Sequence, residues 1–258
     1  MCHDISFSAK TVELITDLIP DIIIDHPLSI DFSVTSHVIS MSHRNCLAIY
    51  KRGNETHLSA FEWGFMADFM TSPELIKKYR IKMANARAEN LFDNKSIWNR
   101  SLHQRCLIAV NGIYEHQKVE GFKNKIPHYI TLKHENLLLL PALYNFSPLP
   151  DLETGEVHGT FSIITREANE LMKTIHNDGT NKHRMPLFMA PQKSLKWLDV
   201  NSREETQEIT KFCIPSNDLK SHTVFTIRTT KPRPDGKNKF DEYTYNYPID
   251  GIKKDLFN

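Results

Sequence analysis

Near the start of the chain, Val12, Ile15, Leu18 and Ile19 follow Ser8 at helical spacing, which predicts an amphipathic helix over residues 9–19. From residue 38 to 58 the pattern is strand-like: positions 41–50 mix apolar and polar residues, and Arg52-Gly53-Asn54 reads as a turn. Ser72-Pro73-Glu74 offers a capping serine, a proline for the first helical position and an acid in the first turn, predicting a helix that runs to about residue 82. A further helix is expected to reach Trp98. Residues 105–114 form one apolar run, predicted as a buried strand leading into Glu115, and more strands are expected at 127–133, 137–144, 159–165, 185–189 and 222–229. Thr165-Arg166-Glu167 suits the opening of a helix with Leu171, Met172 and Ile175 on its core face, ending in His176-Asn177-Asp178-Gly179. Ser202 with Glu205 three residues later forms a capping box, so a helix is predicted over 203–212. Many strands interrupted by few helices give an α+β fold with a mixed, barrel-like β-sheet and flanking helices.

Composition narrows the setting. With 258 residues and 40% hydrophobic content the chain can bury a full core. Lysine plus arginine (32) nearly balances aspartate plus glutamate (31), leaving a net charge of +1, so a nucleic-acid partner would need a local basic groove. Cys2, Cys46, Cys106 and Cys213 are widely separated, without metal-ligand spacing, which points to reduced thiols and no metal or cofactor. No basic start or long apolar run marks residues 1–20, so a soluble cytoplasmic protein without a membrane partner is expected.

Candidate chemistry begins at Met1-Cys2, where the small second residue favours removal of the initiator methionine. A free N-terminal cysteine places an amine with a pKa of about 7.7–8.0 beside a thiol of about 8.5, both near their nucleophilic forms at neutral pH. Such a residue can condense with an aldehyde to an imine and close on it through sulfur as a thiazolidine. It can also act as the nucleophile of an N-terminal hydrolase. Most second-position cysteines do neither and serve as small apolar residues.

Other residues carry similar alternatives. Glu115, ending an apolar strand, suits a desolvated general acid or base as well as a salt-bridged strand end. His176 and His183 are possible proton shuttles, although most of the 13 histidines must be ordinary surface residues. Asn85 can hold a substrate oxygen or cap a turn, and the Asn85–Asn90 segment fits either an extended strand or a helix. Arg87 and Arg184 can fork onto phosphates or sit at the surface. Trp63 and Phe65 suit base stacking or the core. Arg228, Lys231, Arg233, Lys237 and Lys239 lie in a proline-rich and glycine-containing loop that can line a nucleic-acid groove or stay solvated.

In order along the chain stand Met1-Cys2, Glu62-Trp63-Gly64, Asn85-Ala86-Arg87-Ala88-Glu89, Arg105-Cys106-Leu107-Ile108 leading to Gly112-Ile113-Tyr114-Glu115, Pro127-His128-Tyr129, Phe161-Ser162-Ile163-Ile164-Thr165 with Glu167-Ala168-Asn169, and Ile175-His176 with Arg184-Met185-Pro186. Together they resemble the SRAP family, the SOS response-associated peptidases or abasic-site processing proteins. The resemblance implies a single SRAP-type domain over residues 1–258, most strongly matched over 1–190. It implies a role in the DNA damage response: covalent capture of abasic sites in single-stranded DNA as a thiazolidine on Cys2, after a removal of Met1 that the family name ascribes to autoproteolysis. By motif, Asn85 would orient the amine or sugar, Glu115 would move protons, and His176 would serve ring opening and crosslink reversal. Arg87 and Arg184 would hold phosphates, with Trp63 near the bases and Thr165 near the lesion. A monomer that joins the nucleoid when bound to DNA is expected.

Three departures stand against the family pattern. The usual Gly-Arg after the cysteine is His3-Asp4 here, which removes a phosphate-binding arginine. Tyr-Glu-Trp has become Tyr114-Glu115-His116. Residues 177–183 are extra, so His176 keeps the preceding Ile175 while His183 keeps the adjacency to Arg184-Met185-Pro186; His176 is the better match. A thiol peptidase using Cys2, His176 and Asn85 in trans, and a non-catalytic single-strand binder, are the alternatives from other classes.

Overall fold

Apolar runs too long to leave one face in water must be covered on both sides, and such runs here belong to five strands that pair edge to edge into a ring. The computed structural model of the protein describes residues 2–229 and 232–246. In chain order the strands are β1 (Asp4–Ser6), β2 (Ile23–Ile24), β3 (Val38–Ile39), β4 (Asn45–Arg52), β5 (Glu55–Trp63), β6 (Asn85–Arg87), β7 (Arg105–Val110), β8 (Gly112–Gln117), β9 (Ile126–Leu132), β10 (Leu138–Phe146), β11 (Gly159–Glu167), β12 (Arg184–Pro186) and β13 (Leu219–Thr223). The helices are α1 (Ala9–Leu18), α2 (Pro73–Tyr79), α3 (Ile97–Arg100), α4 (Glu170–Ile175), α5 (Pro191–Asp199) and α6 (Arg203–Lys211).

Strands β5, β4, β7, β10 and β11 are antiparallel neighbours, and β11 returns to pair in parallel with β5 through Thr160↔Glu62 and Phe161↔Trp63. That last pairing closes the ring and removes its open edge. Leu47, Ile49, Leu107, Leu139 and Ile163 are at most 1% exposed, and burial of each contributes about 1.5–3 kcal/mol. Helix α5 packs on β7 and β10, with the Trp197 indole N–H donating to the Ala142 carbonyl at 3.0 Å. The second sheet, in the order β13-β9-β8-β1-β3, is antiparallel throughout. This is the α+β, mixed, barrel-like architecture with flanking helices that the pattern predicts.

Several boundaries differ from the pattern, each for a physical reason. The run at 105–114 is two strands in two sheets, not one: the chain turns at Asn111, whose N–H donates to the Ser6 carbonyl at 2.8 Å and whose Oδ1 accepts from the Thr11 hydroxyl at 3.0 Å. The helix expected from Thr165 starts at Glu170, because residues 165–167 are held in β11 by pairing with β12, and Asn169 caps the helix by accepting from the Met172 N–H at 2.9 Å. Helix α2 ends at Tyr79 and continues to Lys82 only as a 3₁₀ turn. Of the strand expected at 222–229, the first two residues pair in β13 and Val224 forms an isolated bridge with Glu242. Helix α5 was not anticipated, although Pro191 at its first turn is a start signal.

Ring closure also explains one glycine. A Cβ on Gly159, where β11 begins beside β5, would lie 2.2 Å from the Phe61 ring. Gly159→Ala is expected to destabilise the fold by about 1–3 kcal/mol through overpacking, read as a lower urea midpoint at unchanged slope.

Candidate active site

The chain enters the second sheet directly after Cys2, since β1 lies between β3 and β8 with Asp4 opposite Tyr114. That register brings the start of β1 alongside Glu115, the next residue of β8. Cys2 is buried, and its carbonyl accepts a 2.8 Å hydrogen bond from Asn85 Nδ2. Met1 and its expected removal lie outside the described residues.

Asn85 is placed by the ring. Its segment is the strand β6, extended rather than helical, in parallel register with β11 through Ile163↔Asn85 and Thr165↔Arg87. One residue earlier, the Ala84 carbonyl accepts from the Trp63 indole N–H at 2.9 Å and from the Ile163 N–H at 3.1 Å. Two donors on one carbonyl fix the peptide that leads into Asn85. The Asn85 side chain then spans from the ring to Cys2, while its Oδ1 is buried without a hydrogen-bond partner.

Glu115 is 4% exposed and its Oε1 is likewise buried without a partner. Burial pushes its carboxyl up to about 8, with the nearby Asp4 carboxylate adding to the rise and Arg228 opposing it. The same burial, followed by the Glu115 charge, drives the Cys2 thiol well above its ordinary value. This corrects the expectation of a thiol near its nucleophilic form: in this setting sulfur keeps its proton until a base removes it.

His176 ends α4, where its N–H donates to the Met172 carbonyl and its own carbonyl accepts from the His183 N–H, both at 2.8 Å. Its Nδ1 lies 2.9 Å from the Arg184 carbonyl oxygen and 3.4 Å from the Arg184 backbone nitrogen; donation to the carbonyl would leave Nε2 as the basic nitrogen. Burial lowers its pKa to about 4, so the ring is neutral at pH 7. Glu115 and His176 line one cleft of about 540 Å³, together with His3, His116, Lys125 and Arg228 and the loop residues 178–181. His183 is not among those lining residues; its backbone, at φ 62, shapes the turn that returns to β12.

The remaining expected residues divide. Arg87 is exposed and reaches Asn181 Oδ1 of the cleft loop at 2.7 Å. Arg184 forks onto Glu89 at 2.7 and 3.0 Å and donates to the Thr165 carbonyl at 2.7 Å. Trp63 is fully buried, stacked at 5.9 Å and 15° on Phe161, so it realises the core alternative and its ring cannot meet a base in this arrangement. Thr165 is also fully buried and touches Arg184, not the cleft. In the basic loop, Arg233 is turned inward onto the Asn238 carbonyl at 3.0 Å and the Glu242 carbonyl at 2.6 Å, Lys239 donates to the Ile227 carbonyl at 3.2 Å, and Lys231 lies outside the described residues. The contributions of Lys125 and the 178–181 loop to the cleft were not foreseen; the extra residues after His176 were the available signal.

A family model described as SOS response associated peptidase (SRAP) matches residues 5–228. The chain belongs to the SRAP family. Among its relatives is a Bacillus subtilis protein named abasic site processing protein YoqW, 32% identical over 156 residues, which make up 60% of this SRAP chain and 63% of that protein. The protein of the same description from Pongo abelii, HMCES, is 22% identical over 198 residues, 67% of this chain and 54% of that one. The chain thus spans less than two thirds of the length of these relatives. A crystal structure of a Bacteroides thetaiotaomicron protein superposes with a TM-score of 0.71 at 26% identity, covering 93% of this SRAP chain and 97% of that one. Among the described residues, no helix is long and apolar enough to cross a membrane.

Burial of Glu115 has a consequence for folding. Between about pH 4.5 and 8 the unfolded chain releases this proton while the folded chain keeps it, so stability falls as pH rises through that window. Glu115→Gln is expected to flatten that part of the stability–pH profile and to gain on the wild type toward pH 8, measured by urea unfolding at successive pH values.

Proposed function

We propose that this chain captures abasic sites in single-stranded DNA covalently through Cys2, once Met1 has been removed, as part of a DNA damage response. The observation that carries the reading is Glu115, whose buried Oε1 has no partner and which lines one cleft with His176, together with Asn85, which holds the Cys2 carbonyl and whose buried Oδ1 is also unpartnered. Buried polar atoms left without partners are stabilised when a ligand supplies them. Membership of a family whose relatives are named abasic site processing proteins supports the choice of ligand.

The chemistry follows from the protonation states. The Cys2 amine adds to the C1′ aldehyde of the opened sugar, giving a carbinolamine. Protonated Glu115 donates to the departing hydroxyl; water leaves, an iminium forms and Glu115 becomes a carboxylate. The thiol then adds to the iminium carbon and its proton passes to Glu115, which is restored as the ring closes. One water is lost overall. Asn85 holds the Cys2 backbone in place, and neutral His176 accepts and returns the proton of the sugar hydroxyl during ring opening and reversal. Arg87 and Arg184 hold the strand, and Thr165 acts by buttressing Arg184.

Intact mass spectrometry tests this directly. The protein lacking Met1, mixed with a single-stranded oligonucleotide bearing one abasic site, is expected to gain the oligonucleotide mass less one water, with no adduct on an undamaged strand. Cys2→Ala is expected to abolish the adduct while sparing most non-covalent binding, and Glu115→Gln to slow it by about 10²-fold or more. Absence of an adduct with the processed wild type removes the proposal; turnover of a peptide instead would establish the thiol peptidase in its place.

A further inference from the structure

The cleft needs a cation to receive a phosphodiester, yet the position after His3 holds an acid, Asp4. Of the basic side chains lining the cleft, His3, His116 and His176 are all lowered by burial and carry no charge at pH 7, with His116 and His176 at about 4. Among the described residues that line it, the positive charge comes from Lys125 and Arg228. Lys125 is 2.8 Å from the Asp178 carboxylate, at the exposed rim. Arg228 is different: a buried carboxylate holds it from beneath.

Asp4 is 2% exposed, and Arg228, from the far end of the described chain, meets it side-on, with Nε donating to Oδ1 at 3.1 Å and Nη2 to Oδ2 at 2.6 Å. His37 Nε2 lies 2.7 Å from the same Oδ1. Burial acts to raise the Asp4 carboxyl, but these bonds outweigh it and hold the group at about 2, so the anchor stays ionised at any physiological pH. A side-on pair uses Nε and Nη2 and turns the Nη1 donors away from the carboxylate. The Arg228 side chain remains 48% exposed while lining the cleft beside Glu115.

We propose that Arg228, anchored on Asp4, binds a backbone phosphate of the single strand at the mouth of this cleft, and that the acid at position 4 is retained as its anchor. This assignment rests on the reading of the cleft as a single-stranded DNA site. A purely structural Arg228 would neutralise Asp4 and do nothing more; a phosphate ligand contributes one counterion-releasing contact.

The test measures non-covalent binding of an undamaged single-stranded oligonucleotide by fluorescence anisotropy over a sodium chloride series, so that it does not depend on covalent capture. Each phosphate contact on a single strand contributes about 0.7 to the slope of log K against log salt, and Arg228→Ala is expected to reduce the slope by about that amount while Arg228→Lys keeps it. Arg228→Gln, which retains a donor to Asp4 without the charge, is expected to lose the same slope and serves if the alanine variant does not fold. The double variant Asp4→Asn with Arg228→Ala is expected to stay weak. Restoration of wild-type binding in that double variant, or an unchanged slope in both single neutral variants, overturns the assignment. A wild type that fails to bind single-stranded DNA at all overturns the underlying reading of the cleft as well.

Discussion

Strand β11 is shared by more of the architecture than any single residue of the site. It is hydrogen-bonded to β10 and β12 and, along its other edge, to β5 over Thr160 and Phe161 and then to β6 over residues 163–165. The first of the two parallel pairings closes the ring; the second sets Asn85 and Arg87 in register, while the pairing with β12 brings Arg184 beside Thr165. The core and the site therefore share one set of backbone hydrogen bonds.

Electrostatically, the site is governed by desolvation more than by paired charges. Glu115 is raised, His176 lowered and the Cys2 thiol raised, each chiefly by burial. All three are neutral near pH 7, so none of them adds charge to its surroundings. On the proposed reading, attraction for an anionic strand comes from other residues. With a net charge of +1 the chain offers no bulk attraction for a polyanion, so the proposed partner requires cations concentrated at one place.

Much of this was legible in the sequence, and what was not has a common cause. The ring strands were readable because runs such as Leu138–Leu143 are continuous and apolar. Glu115 was recognisable as a carboxylate at the end of such a run. By contrast β1 and β6 span three residues each, and no local pattern of that length distinguishes a strand from a loop; their identity comes from partners far along the chain. Trp63 read equally well as a base-stacking or a core residue, and what places it is an indole N–H satisfied by a backbone carbonyl inside the core, a contact that no periodicity encodes. The Asp4–Arg228 pair joins residues 224 positions apart and was invisible for the same reason.

One contact has a wider meaning. Asn85 grips residue 2 by its main-chain carbonyl, not by its side chain. A grip of that kind recognises a place in the chain and is indifferent to what chemical group is carried there. On the proposed reading the scaffold thereby separates addressing from reactivity: the side chain at position 2 could change in kind through evolution or by redesign while the socket that receives it stayed as it is.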